Sequence, residues 1–409
     1  MFWVKWVLII LIYVFFFVFD TLFAFGSYIF PCLLGSVGSF FIVFFFSRKR
    51  FLRQMIVENS ELVDYEIPES VKIAVVFVVK NEGEAFLRNL EEYLSLPDNV
   101  KIYIFDDGST DGTNEKIMHL KSSHECETGK PKEGRIVLSR VPGSNKKMHP
   151  KGIALEEAFH KVDCDIFFVG DADTRISPQT FNKSLVYMIR EQFELLHLTR
   201  RNTEMDTLSY SIADCDEVFA SGLHTLNMIP FNFTGSSFFI TKKVAMKIEF
   251  PNRVYSEDSE IGKQAIALTK KRGFSISFHT LERAPHTVFL LLKQRWNWNK
   301  YALCQYFEKD FPTVLLAVIL SANIIFGLFN IYSFNFIFTL FGMFMAMSFS
   351  LSTNLYIASK KLSEAFISSF AYVLLILLQF GFLYFIQILC LPRNQKHGIY
   401  YNKTKLRNE

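Results

Sequence analysis

Val100-Lys101-Ile102-Tyr103-Ile104-Phe105 runs into Asp106-Asp107-Gly108-Ser109, and Asp165-Ile166-Phe167-Phe168-Val169-Gly170 runs into Asp171-Ala172-Asp173. Each stretch reads as a buried strand that stops at a carboxylate pair. In open α/β sheets, ligands sit beyond the carboxyl ends of the strands. Two carboxylate pairs gathered there repel an anion but suit a hard cation that bridges a phosphate-bearing ligand. The plainer reading is that Asp-Gly-Ser and Asp-Ala-Asp are turns or helix caps. For either motif alone the two readings weigh about equally. Both motifs in order, in one domain, favour a site.

The neighbouring segments alternate in the same way. Lys72–Val79 is an apolar, β-branched run, and Glu84–Leu96 carries Phe86, Leu87, Leu90 and Leu94 at helical spacing. The pattern predicts strand 100–105, helix 112–121, strand 135–139, helix 151–161 and strand 165–170, with loops at 122–134 and 141–150. Strands alternating with helices imply a mostly parallel sheet covered on both faces. No internal repeat is visible.

The chain of 409 residues holds 46 Phe, and half its residues are apolar. The excess sits in the first 46 residues and after Phe311, so composition changes twice along the chain. A net charge of +4 is too small and too dispersed to suggest a nucleic-acid-binding protein. Cys32, Cys126, Cys164, Cys215, Cys304 and Cys390 form no C-x-x-C pair, which suits a reducing compartment.

Val4 to Phe25 is interrupted only by Lys5 and Asp20, and Tyr28 to Phe46 follows after a Gly-Ser turn. Each run approaches the ~20 residues that cross a bilayer. A signal peptide is the rival for the first run, but no small-residue cleavage site separates it from the second. The basic run Ser47-Arg48-Lys49-Arg50-Phe51-Leu52-Arg53 then predicts a cytoplasmic face. Further apolar runs cover 311–333, 334–353 and 364–391. Three full spans would carry the basic tail 392–409 outside, against the positive-inside rule, so one run is expected to be re-entrant or interfacial. The weakest span is 334–353, with its late Ser348, Ser350, Ser352, Thr353 and Asn354. The expected organisation is therefore two transmembrane helices at 1–53, a cytoplasmic domain at 54–282 and an interfacial amphipathic segment at 283–310. A membrane region at 311–391 and a tail at 392–409 complete it. The chain reads as a multi-pass integral membrane protein.

Eight motifs in order resemble the family 2 glycosyltransferases over about residues 70–310. Val78-Val79-Lys80-Asn81-Glu82 looks like P-x-x-N-E with Val78 for proline, followed by Asp106-Asp107-Gly108-Ser109 and Asp171-Ala172-Asp173. Lys151-Gly152-Ile153-Ala154-Leu155 resembles K-G-x-A-L, Phe233-Thr234-Gly235-Ser236-Ser237 resembles a T-G-S loop, and Ser256-Glu257-Asp258 resembles T-E-D. Leu281-Glu282-Arg283-Ala284-Pro285 and Gln294-Arg295-Trp296-Asn297-Trp298 resemble the E-x-A-P and Q-x-x-R-W of membrane-bound synthases of the cellulose, chitin and hyaluronan type. Asn297 stands where Q-x-x-R-W has arginine, which bears on processivity more than on transfer.

The resemblance implies a GT-A-like domain flanked by transmembrane helices, and an inverting transfer from a UDP-sugar assisted by Mg²⁺ or Mn²⁺. It implies Asp173 and Asp171 as metal ligands. Asn81, Glu82, Asp106, Asp107, Lys151 and Asp171 would contact the donor, and Asp258 would be the base with Glu257 beside it. Gly235, Ser236, Gln294, Arg295 and Trp298 would face the acceptor. Several have a second reading. Ser256-Glu257-Asp258 also reads as a capped helix start. Trp296 and Trp298 suit interfacial anchoring. Lys151 can be solvated, and His279 and His286 read as structural. Transfer to a growing polysaccharide at the cytoplasmic membrane face and single addition to a lipid are both open. A membrane scaffold without turnover is a rival, opposed by the full set of carboxylates. A transporter is a further rival, opposed by the lack of mid-span charges in the C-terminal runs.

Overall fold

The computed structural model describes residues 29–59, 67–127, 135–143, 149–202, 207–226, 235–250, 257–296 and 334–378. They fall into two compact units. One holds residues 1–53, 207–230 and 286–394; the other holds 54–206, 231–285 and 395–409. The segment 207–230 lies within the expected 54–282 domain but packs with the first unit.

The second unit is a seven-stranded sheet. Its strands are β1 (Ile73–Val79), β2 (Val100–Asp106), β3 (Ile136–Arg140), β4 (Ile166–Asp171), β5 (Leu195–Asn202), β6 (Phe238–Thr241) and β7 (Arg272–Glu282). The spatial order is β3-β2-β1-β4-β6-β5-β7. β6 runs antiparallel to β4 and β5, and the remaining pairs are parallel. The five strand-helix positions expected from 100 to 170, and the two before them, all form, and all but the helix expected at 112–121 keep nearly the expected bounds.

The period-two pattern of β1 explains its central place. Ile73, Val75, Phe77 and Val79 point into one core, and Ala74 and Val76 into the other. On the first face, α2 (Gly83–Leu94) brings Phe86, Leu90 and Tyr93, with the Tyr93 ring 4.8 Å from Phe77. Burying a side chain of this size contributes roughly 1.5–3 kcal/mol. On the second face, α4 (Pro150–Lys161) sets Phe159 5.0 Å from Phe167. α3 (Thr113–Glu127) runs into the stretch expected as a loop. Ser122 and Ser123 do not break it, because their hydroxyls donate to the Met118 and His119 carbonyls inside the helix. α5 (Pro178–Arg190), α7 (Lys242–Ala245) and α8 (Glu257–Leu268) complete this unit.

Registers bring the strand ends together. Val79 is opposite Asp106, and Val78 is opposite Asp171. Because β6 is reversed, its start lies at the same edge: Ser237 N donates to Val169 O at 2.8 Å. β7 reaches that edge at Glu282 after a register shift in its pairing with β5, between Leu198 and Thr199.

In the first unit, α6 (Leu208–Thr225) packs on α9 (Phe334–Tyr356) and α10 (Leu362–Leu378). Gly222 permits a close approach, since a Cβ there would meet Thr353 Cγ2 at 2.6 Å. The interior holds polar side chains beside apolar ones such as Phe349 and Leu351. Asp214 pairs with Lys360 at 3.1 Å, and Asn354 bonds to Cys215 and Ser369. Ser348, Ser350, Ser352 and Thr353 are fully buried. The exposed faces instead carry Phe41, Ile42, Phe45 and Phe46, and on α10 Phe366, Ile367 and Phe370.

α1 (Ile29–Asn59) does not stop at Phe46 as the expected span does. It continues through the basic run, whose Arg and Lys residues are good helix formers. Likewise α9 runs past the serines at 348–352, which the bundle buries. Among the described residues no helix is long and apolar enough to cross a membrane. The expected spans at 4–25 and 311–333, the end of the last run and the tail lie outside the described residues.

Candidate active site

Four strand ends build the site. After β1, Asn81 adopts a left-handed backbone at φ +54°. Its side-chain oxygen accepts from Thr110 N at 2.7 Å, and its own N–H donates to Ser109 Oγ at 3.0 Å. The β1 and β2 loops are thereby stapled together. In the second loop Asp106 is buried and turned back on its own backbone, accepting from Ser109 N at 3.0 Å and from Ser109 Oγ. Gly108, at φ +73°, makes that tight turn possible. Asp106 thus shapes the loop, while Asp107 stays partly exposed beside Lys80 at 2.8 Å. Glu82 is half-buried at the start of α2.

The Asp-Ala-Asp turn after β4 is held from several sides. Thr174 Oγ1 accepts from Asp171 N at 2.9 Å, Asn89 donates to Ala172 O at 2.9 Å, and Tyr93 donates to Thr174 O at 3.1 Å. This leaves Asp171 and Asp173 half-buried at the sheet edge. Pro150 starts α4, and His149 Nδ1 caps it by accepting from Lys151 N. Lys151 is therefore in the first turn, and its ammonium lies 2.6 Å from Asp171 Oδ1 and 3.9 Å from Asp258 Oδ1. Asp258 Oδ1 accepts no hydrogen bond among the described residues.

Gly235 lies against Asp258. Its φ is +79°, and a Cβ would fall 2.2 Å from the carboxylate carbon. Ser236, next in the chain, is fully buried and donates to Glu282 Oε1 at 2.8 Å. Thr174 and Ser237 donate to the same oxygen at 3.1 and 3.2 Å, and Arg200 lies 3.4 Å from Oε2. Burial pushes the Glu282 carboxyl above its usual range; Arg200 opposes this, and the charges of Asp173 and Asp171 add to it.

The structure thus brings Asn81, Asp106, Asp107, Lys151, Asp171, Asp173, Gly235, Ser236 and Asp258 into one unit at one sheet edge. Gln294 and Arg295 belong to the other unit, where Arg295 is buried and ion-paired with Asp216. Trp298 and the Glu257 side chain lie outside the described residues. Glu282, Thr174 and Arg200 were absent from the sequence-derived site. Glu282 does stand in the E-x-A-P motif, and Thr174 directly follows the Asp-Ala-Asp, so signals for two of them existed.

Among the described residues no three His, Cys, Asp or Glu side chains form a metal cage. Asp171 and Asp173 are hard oxygen donors, and their field already disfavours ionisation of Glu282. Two carboxylates suit Mg²⁺ or Mn²⁺, which keep waters and take ligand phosphates as further ligands.

A mostly parallel α/β sheet in this strand order, with its carboxylates at one edge, is a GT-A-like fold. Residues 74–249 match Glycosyl transferase family 2, and this part of the chain is a glycosyltransferase domain of that family. No curated protein matches the chain in sequence. Among solved structures, mannosyltransferase PcManGT from Pyrobaculum calidifontis, in complex with GDP-Man and Mn²⁺, is 14% identical. That match covers 88% of this chain and 96% of that one at a TM-score of 0.47. S. aureus TarS is 12% identical, with 54% of this chain and 38% of that one covered and a TM-score of 0.39. TarS 1–349 in complex with UDP-GlcNAc is 12% identical, with 52% and 59% covered and a TM-score of 0.37. The chain thus spans 38% and 59% of these two TarS chains. Likenesses this slight carry no argument about donor, cation or acceptor.

Proposed function

We propose that this chain moves a sugar from a nucleotide sugar, a UDP-sugar, to an acceptor hydroxyl with inversion. One observation carries the reading: Lys151 lies between Asp171 and Asp258, and Asp258 Oδ1 accepts no hydrogen bond among the described residues at the edge where the donor carboxylates gather. In a single displacement the acceptor oxygen bonds to the anomeric carbon, and the bond from that carbon to the diphosphate breaks. Asp258 takes the acceptor proton. Asp107, with the Asn81 and Glu82 loop, faces the nucleoside, and Lys151 offsets charge on the departing diphosphate. Asp171 and Asp173 would hold Mg²⁺ or Mn²⁺, which when bound supplies further positive charge for the leaving group.

The acceptor we propose is a growing polysaccharide at the cytoplasmic face of a membrane. Support for the membrane comes from the first unit, where serines, Asn354 and the Asp214–Lys360 pair lie inside and phenylalanines face out. A lipid acceptor is favoured by a different observation. Arg295, the basic group nearest the position where polymerising enzymes carry arginine, is engaged by Asp216. The test is the full chain in nanodiscs with radiolabelled nucleotide sugars and Mn²⁺ or Mg²⁺. Label in a long chain supports the polymer, and label in a lipid-soluble product supports the lipid. UDP binding without transfer from any sugar refutes turnover and leaves a scaffold. The tail is expected on the cytoplasmic side, and a glycan at Asn402, within Asn402-Lys403-Thr404, would place it outside.

A further inference from the structure

Glu282 takes no part in the roles above, yet it is half-buried within the site and bonds to the loop that follows β4 and the loop that enters β6. It ends β7 and receives the hydroxyls of Thr174, Ser236 and Ser237 on one oxygen. Arg200 faces the other oxygen. Through Thr174 it reaches the backbone N–H of Asp171. Through Ser236 it reaches Gly235, the residue against which Asp258 rests. A closed circuit results: Asp258, Lys151, Asp171, Thr174, Glu282, Ser236, Gly235 and back to Asp258.

We infer that Glu282 is a positioning residue that sets the spacing between the Asp171-Ala172-Asp173 turn and the Asp258 base. The inference rests on the proposed transferase reading. The chemistry of the side chain fits the task. Only an acceptor without protons takes three hydroxyls and faces a guanidinium at once. A glutamine keeps the shape but turns an N–H₂ towards either the hydroxyls or Arg200. The Asp171-Ala172-Asp173 turn follows β4, and Asp258 rests against the loop entering β6, which is left-handed at Gly235 and Ser237, with φ +79° and +62°. Strand pairing ends before both, since Val169 and Phe238 are the last paired residues. Beyond that pair, among the described residues, the backbone link between them is Ser237 N to Val169 O. Side chains add to that link, and Glu282 bonds to both loops.

The experiment compares wild type with Glu282→Gln, Glu282→Asp, Ser236→Ala and Thr174→Val. It measures kcat, donor KM, and UDP affinity by calorimetry with and without Mn²⁺. Glu282→Gln is expected to lower kcat about 10²-fold, the usual cost of ~1 Å misplacement. UDP affinity without metal should stay within about two-fold, because Asp106 and Asp107 are untouched, while the gain on adding Mn²⁺ should fall about ten-fold. Glu282→Asp should recover part of kcat. Thr174→Val should cost little further in the Glu282→Gln background, because the two act through one contact. Glu282→Gln with wild-type kcat and a wild-type Mn²⁺ gain overturns the inference. If that variant does not fold, Ser236→Ala decides: lowered kcat at unchanged donor KM supports the role, and unchanged kcat overturns it. A wild type that turns over no nucleotide sugar fails the functional reading alone, and the Mn²⁺-dependent UDP affinity then decides the role of Glu282.

Discussion

Gly235→Ala should disable the site while leaving the fold and the nucleoside loop in place. The new Cβ would stand 2.2 Å from Asp258 Cγ and Oδ2 and 2.5 Å from Oδ1. Carbon atoms rest at about 3.5–4.0 Å, so the carboxylate must retreat by more than about 1 Å. The backbone cannot yield instead without leaving φ +79°, a conformation that costs an L-residue roughly 1–2 kcal/mol. Two losses follow. Unfolding stability should drop by about that 1–2 kcal/mol. Turnover should fall about 10²-fold, or about 2.7 kcal/mol of transition-state stabilisation, because Asp258 no longer meets the acceptor proton. UDP affinity should be unchanged, since Gly235 does not touch Asp106 or Asp107. The assays are nucleotide-sugar turnover, denaturant unfolding and UDP calorimetry on the same preparation. Gly38→Ala on α1 is the control, because nothing lies within 4 Å of its added methyl. Turnover of Gly235→Ala within about three-fold of wild type would show that Asp258 acts in another position or not at all.

Asp258→Asn should lower turnover by ~10²–10⁴-fold with UDP binding intact, and near wild-type turnover would remove Asp258 from the mechanism. Asp173→Ala should abolish the gain in UDP affinity on adding Mn²⁺; calorimetry that still shows the gain moves the ligand elsewhere. Burial lowers the His224 pKa from 6.5 to about 4. The unfolded chain therefore binds a proton below about pH 6.5 that the folded chain refuses until about pH 4. The contribution is present above pH 6.5 and lost as pH falls through that window, about 3 kcal/mol in all. His224→Gln should flatten this part of the stability–pH profile, and an unchanged slope in unfolding midpoints would refute the assignment.

The strands up to Asp171 were legible because β1, β2 and β4 are central, apolar and parallel, and each stops at a charged or polar turn. The later half was harder for physical reasons. β6 is a four-residue apolar strand with no alternation to read. β7 carries a register shift against β5, so counting in twos from Arg272 does not tell which way Glu282 points. α6 has Ser209, Asp214, Ser221 and His224 buried, the reverse of an ordinary surface helix. Its polar side packs within a bundle that buries polar side chains, where hydropathy spacing misleads. For Asp106 the sequence did not show its bonds within the turn. A carboxylate that caps Ser109 and one that awaits a ligand look alike in sequence, and only the turn at Gly108 separates them.

The reversal of β6 has a bearing on how such a domain can change over generations. β5 leaves the sheet at Asn202 and β6 re-enters at Phe238, on the same edge because the two run antiparallel. The connection between them is a detour that departs and returns at one door, and α6 within it already belongs to the other compact unit. A detour of this kind can be lengthened or exchanged without altering any strand order, and the closure cost rises only by about 0.6 kcal/mol per doubling of length. What must be preserved is short: the last residues before β6, where Gly235, Ser236 and Ser237 meet Asp258 and Glu282. A lineage could therefore exchange the segment between Asn202 and Gly235 and keep the sheet and its strand-end loops unchanged.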